Sequence, residues 1–395
     1  MRNFIFFIGL FLFIWGFLIM GTCEIVKGEL IVEPAMSFTE TFDDNIFSSG
    51  SDRESDYITS ISPTLRVSYQ WPLVSTALTY RGSLDVYADH SQLNRYNQNG
   101  GLDLNLDRLL NRFNKRGELT FTERFVITPD LPDYELDPGV VTGEDDGTQV
   151  GRNTAFRNHF GAEYRYQLSR RAQASLEYTN TLTEYSDPTL VDRFGQSLKS
   201  TYAYQLFRND TMTLAARYQN VSFDGEDSSD TYLATLGWRH IFSSTFSFQV
   251  EGGVLHLAEA GTEEYRPFFS GNIDKGFLLE RNTKINFSYN QDIRSTGLVN
   301  RLVQHQNVRV SLSKSFTQFL TGQMGGSYGT NKTIKGGEVD IQFFRLNATL
   351  NYLFNKWLSG NVSYTHNRQV SGGNLGEDLY RNRVQMQLLA IFPSF

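Results

Sequence analysis

Histidines and carboxylates are the residues of this chain most able to carry chemistry, and their spacing organises no catalytic centre. His90, His159, His240, His256, His305 and His366 never fall at metal-ligand spacing, and none sits in an H-E-x-x-H pattern. No G-x-S-x-G elbow and no Walker loop is present. A serine–histidine–carboxylate set could assemble from separate strands, but no motif selects one. The simpler reading makes these histidines wall or loop residues, in a chain that is no enzyme and holds no cofactor and no metal. The run Asp43-Asp44-Asn45, followed by Asp52, Glu54 and Asp56, offers the oxygen ligands that calcium takes. It lacks the ordered spacing and the glycine of an EF-hand loop, so a calcium site stays an open alternative.

The informative charges are those set among alternating apolar residues. Arg66, Arg81, Arg124, Arg157, Arg165, Lys199, Arg217, Arg239, Lys284, Arg309, Arg345, Arg381 and Arg383 all stand on the polar parity of such stretches. The acids on that parity are Asp85, Asp103, Asp107, Glu118, Glu163, Glu177, Glu251, Asp274 and Asp292. Thirteen bases thus face nine acids inside a chain whose net charge is -7, which places the negative charge mainly in connectors. Rings of arginine and lysine favour anions in a pore. The plainer reading is that opposite charges on neighbouring strands pair and brace a wall. The two readings coexist, because the bases outnumber the acids.

The elements that position these charges read as strands. Tyr57, Thr59, Ile61, Pro63, Leu65, Val67 and Tyr69 fall on one face of a strand, and Ile58, Ser60, Ser62, Thr64, Arg66 and Ser68 on the other. Eighteen such stretches, with a count of 16–18 admissible, follow one another between Glu29 and the C-terminus. Each has about the 9–11 residues that a tilted strand needs to cross hydrocarbon. The least distinct lie near residues 271 and 325, where Gly271, Gly322, Gly325 and Gly326 blur the alternation. Short connectors (70–73, 169–171, 207–210, 355–357) alternate with longer acidic ones (43–56, 129–151, 224–230, 369–379). Outer-membrane barrels have short periplasmic turns and long external loops, so both termini are expected in the periplasm. Trp71, Phe207, Phe242, Phe316, Phe319, Phe354 and Trp357 fall in or beside the short turns, where an interfacial aromatic girdle belongs. A β-sandwich would also bury such strands, but it has no need of alternating connector lengths. The fold class expected is an all-β, transmembrane, antiparallel up-and-down barrel in the bacterial outer membrane.

Composition agrees. A mean hydropathy of -0.36 argues against a bundle of membrane helices. The one long apolar run, Phe4 to Met20 behind Arg2, reads as a secretory signal with cleavage between residues 22 and 28. This divides the chain into a signal at 1–28 and a single barrel domain at 29–395. Cys23 is the only cysteine, and Thr22 before it is a poor fit to a lipoprotein signal. Cleavage after Cys23 leaves no thiol for a disulfide or a metal.

Two segments resemble known groups. The last strand places Tyr380, Asn382, Val384, Met386, Leu388, Ala390 and Phe392 in phase and the chain ends at Phe395, which resembles the C-terminal signature of outer-membrane barrels. Pro393 breaks the phase, so either a bulge lies there or Phe392 takes the terminal role. Near the start, Pro34 opens a strand that runs into Thr41-Phe42-Asp43-Asp44-Asn45-Ile46-Phe47, and a second strand from Asp56-Tyr57 carries Ile61-x-Pro63. Over residues 30 to 70 this resembles the β-barrel porin group, which includes barrels associated with exosortase and exopolysaccharide loci. The resemblance implies an outer-membrane barrel linked to surface polysaccharide and assigns no catalytic residue. The expected role is a passive channel exporting an anionic or polar exopolysaccharide. The alternatives are a porin for small solutes and a structural or adhesive barrel with a filled lumen. Expected partners are outer-membrane lipid, lipopolysaccharide, the barrel-assembly machinery and polysaccharide-export proteins, with no nucleic acid.

Overall fold

A computed structural model describes residues 28–128, 154–224, 228–259, 262–277, 283–295, 302–334, 339–374 and 378–393. Eighteen strands account for nearly all of them: β1 (Glu29–Asp43), β2 (Asp56–Gln70), β3 (Ser75–Tyr87), β4 (Arg95–Asn105), β5 (Gly117–Thr128), β6 (Ala155–Gln167), β7 (Ala172–Tyr185), β8 (Arg193–Phe207) and β9 (Asp210–Phe223) form the first half. The second half is β10 (Ser229–Ser243), β11 (Phe246–Glu259), β12 (Thr262–Phe277), β13 (Thr283–Ser295), β14 (Leu302–Ser315), β15 (Leu320–Thr333), β16 (Asp340–Asn355), β17 (Leu358–Ser371) and β18 (Leu379–Ile391). Each strand pairs antiparallel with its sequence neighbours, and β1 pairs with both β2 and β18. The sheet is therefore a closed up-and-down barrel of 18 strands, the form that leaves no unpaired edge. The glycine-blurred stretches are strands too, β12 and β15.

The wall shows two faces. In β10, Tyr232, Leu236 and Trp238 are exposed while Thr231, Leu233 and Thr235 between them are buried. β9 and β13 lie four places apart in the sheet, yet Arg217 of β9 meets Asp292 of β13, so the face that carries Arg217 is concave. The exposed apolar residues accordingly form the outer surface. At the end with the short turns, Phe207, Phe242, Phe316, Phe354 and Trp357 are exposed, as a ring anchored in the interface would be.

One element differs from the expected strand. Asp107 was expected on the polar face of the fourth strand, but β4 stops at Asn105 and Asp107 opens a one-turn helix, α1 (Asp107–Leu110). Asn105 Oδ1 accepts the Asp107 N–H at 3.0 Å, and Asp107 Oδ1 accepts the Leu119 N–H at 2.7 Å. A short polar side chain that satisfies backbone groups in this way ends a strand locally. The signal segment, Cys23, the connector 129–151 and Phe395 lie outside the described residues, except for Gly28.

Candidate functional site

Among the described residues the inner wall is a broad polar surface. All thirteen bases read from the sequence lie on the concave parity. Four arginines were missed: Arg95, Arg193, Arg266 and Arg294, which share that parity on β4, β8, β12 and β13. Glu29, Glu33, Asp43, Asp56, Glu259 and Glu264 were missed among the acids. These residues stand near strand ends, where the alternation is too short to assign a face.

Part of the wall is braced. Arg165 bonds Glu163 at 2.6 Å, Arg95 lies 3.3 Å from Asp85, and Arg266 lies 2.9 Å from Glu264. Arg124 pairs with Asp103, and Arg66 reaches Glu33 at 3.9 Å. Others have no such partner. Among the described residues, Arg81, Lys199, Arg239 and Lys284 make no ion pair, and Arg81 reaches only Ser62 Oγ at 3.5 Å. Lys199 sits between Glu177 and Arg217 in the strand register. On the other side of the barrel the register sets Arg309, Ser327, Arg345, Asn367 and Arg381 in one row from β14 to β18. Hydroxyl and amide side chains thus separate the guanidinium groups of that row.

The passage is narrowed from one side. β12 pairs with β13 only from Gly271–Tyr289 to Phe277–Thr283, so the loop-end half of β13 leaves the wall. Ile293 and Leu302 have the parity of exposed residues, yet both are buried against Val221, Phe223, Leu233, Leu255 and Leu257 of the inner wall. Polar contacts hold the same region. Arg217 Nη2 donates to Asp292 Oδ1 at 2.5 Å, and Arg266 Nη1 donates to Gln304 Oε1 at 2.5 Å. The Leu302 N–H donates to Glu259 Oε1 at 3.1 Å. The β13–β14 hairpin therefore leans into the lumen over β9–β12. Its sequence signal was present: apolar residues occupy consecutive polar-parity positions at the loop ends of β9 and β11. The long connector 129–151, which could also fold inward, lies outside the described residues. Of the arginines on β6, β9 and β10 (Arg157, Arg165, Arg217 and Arg239), Arg165 and Arg217 are held by Glu163 and Asp292.

The acidic run folds into a clasp across the strand seam. Asp43 takes the Arg381 Nε at 3.0 Å and lies 3.5 Å from Arg383 Nε. Asp44 accepts the backbone N–H and the side-chain amide of Asn382, both at 2.6 Å. Asn45 donates to the carbonyls of Tyr380 and Ser49 at 3.0 and 2.7 Å. Ser48 adopts a positive φ of 52° in this turn, and its hydroxyl accepts from Arg381. At the other end of the seam the Phe392 N–H donates to the Pro34 carbonyl at 2.9 Å. Asp56 is engaged instead by His90, whose Nδ1 is 2.8 Å from it, while Nε2 is 2.6 Å from Glu54. Those two carboxylates raise the His90 pKa, the Asp56 bond first. His240 sits on Asp210, His305 on Asn331 and His366 on Asn382. His256 lies 3.8 Å from Glu263, the buried His159 Nδ1 makes no hydrogen bond, and among the described residues no cluster of three groups fit to hold a metal forms.

A closed 18-strand wall with an apolar outside and a charged inside defines the class: a porin-like outer-membrane β-barrel. Residues 22–121 match the family described as "Putative beta-barrel porin 2", which overlies the segment whose motifs resemble that group. No curated protein matches the sequence. The fold is similar to that of solved porins. Pseudomonas aeruginosa OccK2 (OpdF), in a crystal structure with glucuronate, is 11% identical over 92% of this chain and 98% of its own, with a TM-score of 0.52. Acinetobacter baumannii OccAB3 is 12% identical over 93% of this chain and 100% of its own, with a TM-score of 0.50.

Proposed function

We propose that this barrel is a passive, anion-preferring channel for small polar solutes across the outer membrane, with both termini in the periplasm. The observation that carries this reading is the set of inner-wall cations that make no ion pair among the described residues, Arg81, Lys199, Arg239 and Lys284, on a wall otherwise rich in hydroxyls and amides. The solved OccK2 barrel of similar fold is in complex with glucuronate, a small anionic sugar acid, which supports a small solute over an exopolysaccharide chain. The buried cluster beneath the β13–β14 hairpin favours a second reading, a structural barrel with a filled lumen. Phe392 at the seam is assigned as the residue presented to the assembly machinery.

Planar-bilayer recordings under a salt gradient separate these readings. A channel gives discrete conductance steps and a reversal potential on the anion side, weakening as salt screens the wall. Replacing Lys199 and Arg239 with glutamine should shift that potential towards zero. A wild-type barrel that conducts cations preferentially at low salt refutes the anion reading, and a silent barrel favours the filled lumen. Orientation is tested on intact cells with a membrane-impermeant maleimide and Ser51→Cys in a Cys23→Ser background. Labelling places the long loops outside.

A further inference from the structure

The outer surface of the seam carries a feature that a channel does not use. At the loop end of β17 and β18, Arg368 and Tyr380 are cross-strand partners and both are exposed on the outward parity. The clasp turns the connector after β1 over this place, so that the Arg53 guanidinium lies 5.4 Å above the Tyr380 ring. Two guanidinium groups thus flank one tyrosine on the outside of the wall. Among the described residues neither has a carboxylate within ion-pair distance. Asp44 lies nearby, but both of its oxygens accept from Asn382. Asp340, one strand further, is held by Lys332 at 3.0 Å. Glu40, across the seam, accepts from Thr59.

Rings extend the patch. His366 stands edge-on to Tyr380 at 4.9 Å and to Phe344 at 6.1 Å. Tyr364 and His366 both bond Asn382 Oδ1, at 2.8 and 2.9 Å, which fixes their orientation. Phe344, Tyr364 and Tyr380 remain exposed. The result is an aromatic shelf, held by the clasp, with the Arg53 guanidinium above Tyr380 and Arg368 beside it in the register. Elsewhere at this end the outer face is acidic: Asp230 accepts from Tyr218 and Asn220, and Glu263 lies 3.8 Å from His256. At the seam a phosphate meets two guanidinium groups beside the connector acids Asp52, Glu54 and Asp378.

We propose that Arg53, Arg368 and the Tyr380 shelf form a binding site for a phosphorylated glycolipid of the outer leaflet. The arginines take the phosphate, which guanidinium groups bind with charge-assisted hydrogen bonds, and the rings take the face of the amino sugar. The site lies at the loop end, so it meets the outer leaflet in the orientation proposed above. It is independent of whether the lumen conducts.

The test uses the purified full barrel in detergent, native mass spectrometry, and three probes: lipid A with both phosphates, lipid A stripped of phosphate, and phosphatidylglycerol. Bisphosphorylated lipid A should be retained at least tenfold better than the other two. The double variant Arg53→Gln/Arg368→Gln should lose that advantage, while Arg53→Lys/Arg368→Lys keeps part of it and Lys356→Gln, at the short-turn end, keeps all of it. Heat-modified gel migration shows that each variant is folded. Equal retention by the glutamine variant overturns the site. Equal retention of phosphate-free lipid A overturns the phosphate assignment, and equal retention of phosphatidylglycerol overturns the glycolipid assignment. Channel conductance should be unchanged in the double variant.

Discussion

Leu236→Arg tests the two-faced wall at its centre. Leu236 is the eighth of the 15 residues of β10, is 57% exposed, and lies beside Leu214 and Gly252 in the register. It should therefore meet lipid near the midplane, where an arginine costs roughly 2–4 kcal/mol. That is about 30- to 700-fold in the folding equilibrium, at tenfold per ~1.4 kcal/mol. The control must place the same charge inside. Thr235 is adjacent, but it donates to Glu251 and a Cβ at Gly253 would already crowd it, so an arginine there disturbs the wall for a second reason. Thr213 is the better control: it faces inward on β9 opposite Gly237, where no side chain competes for space. An arginine at 213 can extend into water, so its cost should stay below about 1 kcal/mol, as for solvent-exposed substitutions. The assay is reversible refolding into lipid vesicles across a urea series. Equal losses for Leu236→Arg and Thr213→Arg would refute the assignment of faces.

Three further outcomes follow from the same geometry. Arg381→Ala leaves the buried Asp43 carboxylate without its main partner, so thermal unfolding followed by gel shift should show a loss of about 3–5 kcal/mol. Asp292→Asn removes the ion pair that ties β13 to Arg217, and single-channel recordings should show larger or noisier conductance; unchanged traces would mean that the apolar cluster alone holds the hairpin. His90 is raised above its ordinary value of 6.5, first by Asp56 and then by Glu54, so its bonds stabilise the loop end below that ordinary value and the stabilisation is lost as pH rises through the raised one. Hydrogen exchange in 44–55 and 88–94 should accelerate across that range in the native barrel, and His90→Gln should abolish the pH dependence.

Most of the wall was legible because a strand of period two writes its faces directly into the sequence. Lys199 and Arg217 could be placed on the concave side from Leu198, Ala216 and Tyr218 alone. The clasp was not legible. Asp43, Asp44 and Asn45 look like oxygen ligands in sequence, and only closure of β1 on β18 shows that Arg381, Asn382 and the Tyr380 carbonyl consume them. Their partners lie more than 330 residues away, a separation that no local pattern encodes. The porin-group motif thus finds a physical reason in the seam: an Asp-Asp-Asn turn locks the first strand to the last.

The leaning hairpin marks where face reading fails, and why. Alternation says that Ile293 and Leu302 share a face with Phe287 and Val310, and they do. What alternation cannot say is whether that face still looks outward at the strand's end. Once β13 leaves β12 above Tyr289, the outward face of the hairpin turns towards the inner wall. The counter-signal is carried by other strands: Val221 and Phe223 on β9 and Leu255 and Leu257 on β11 are apolar where a water-filled lumen calls for polar groups. Two sets of residues that each violate the pattern in isolation satisfy one another when they meet. Arg217 and Asp292 close that meeting with an ion pair at its edge. An apolar pair of i and i+2 positions on the concave parity therefore indicates an inserted segment, and the segment to match it with is a strand whose own outer face is buried at its end.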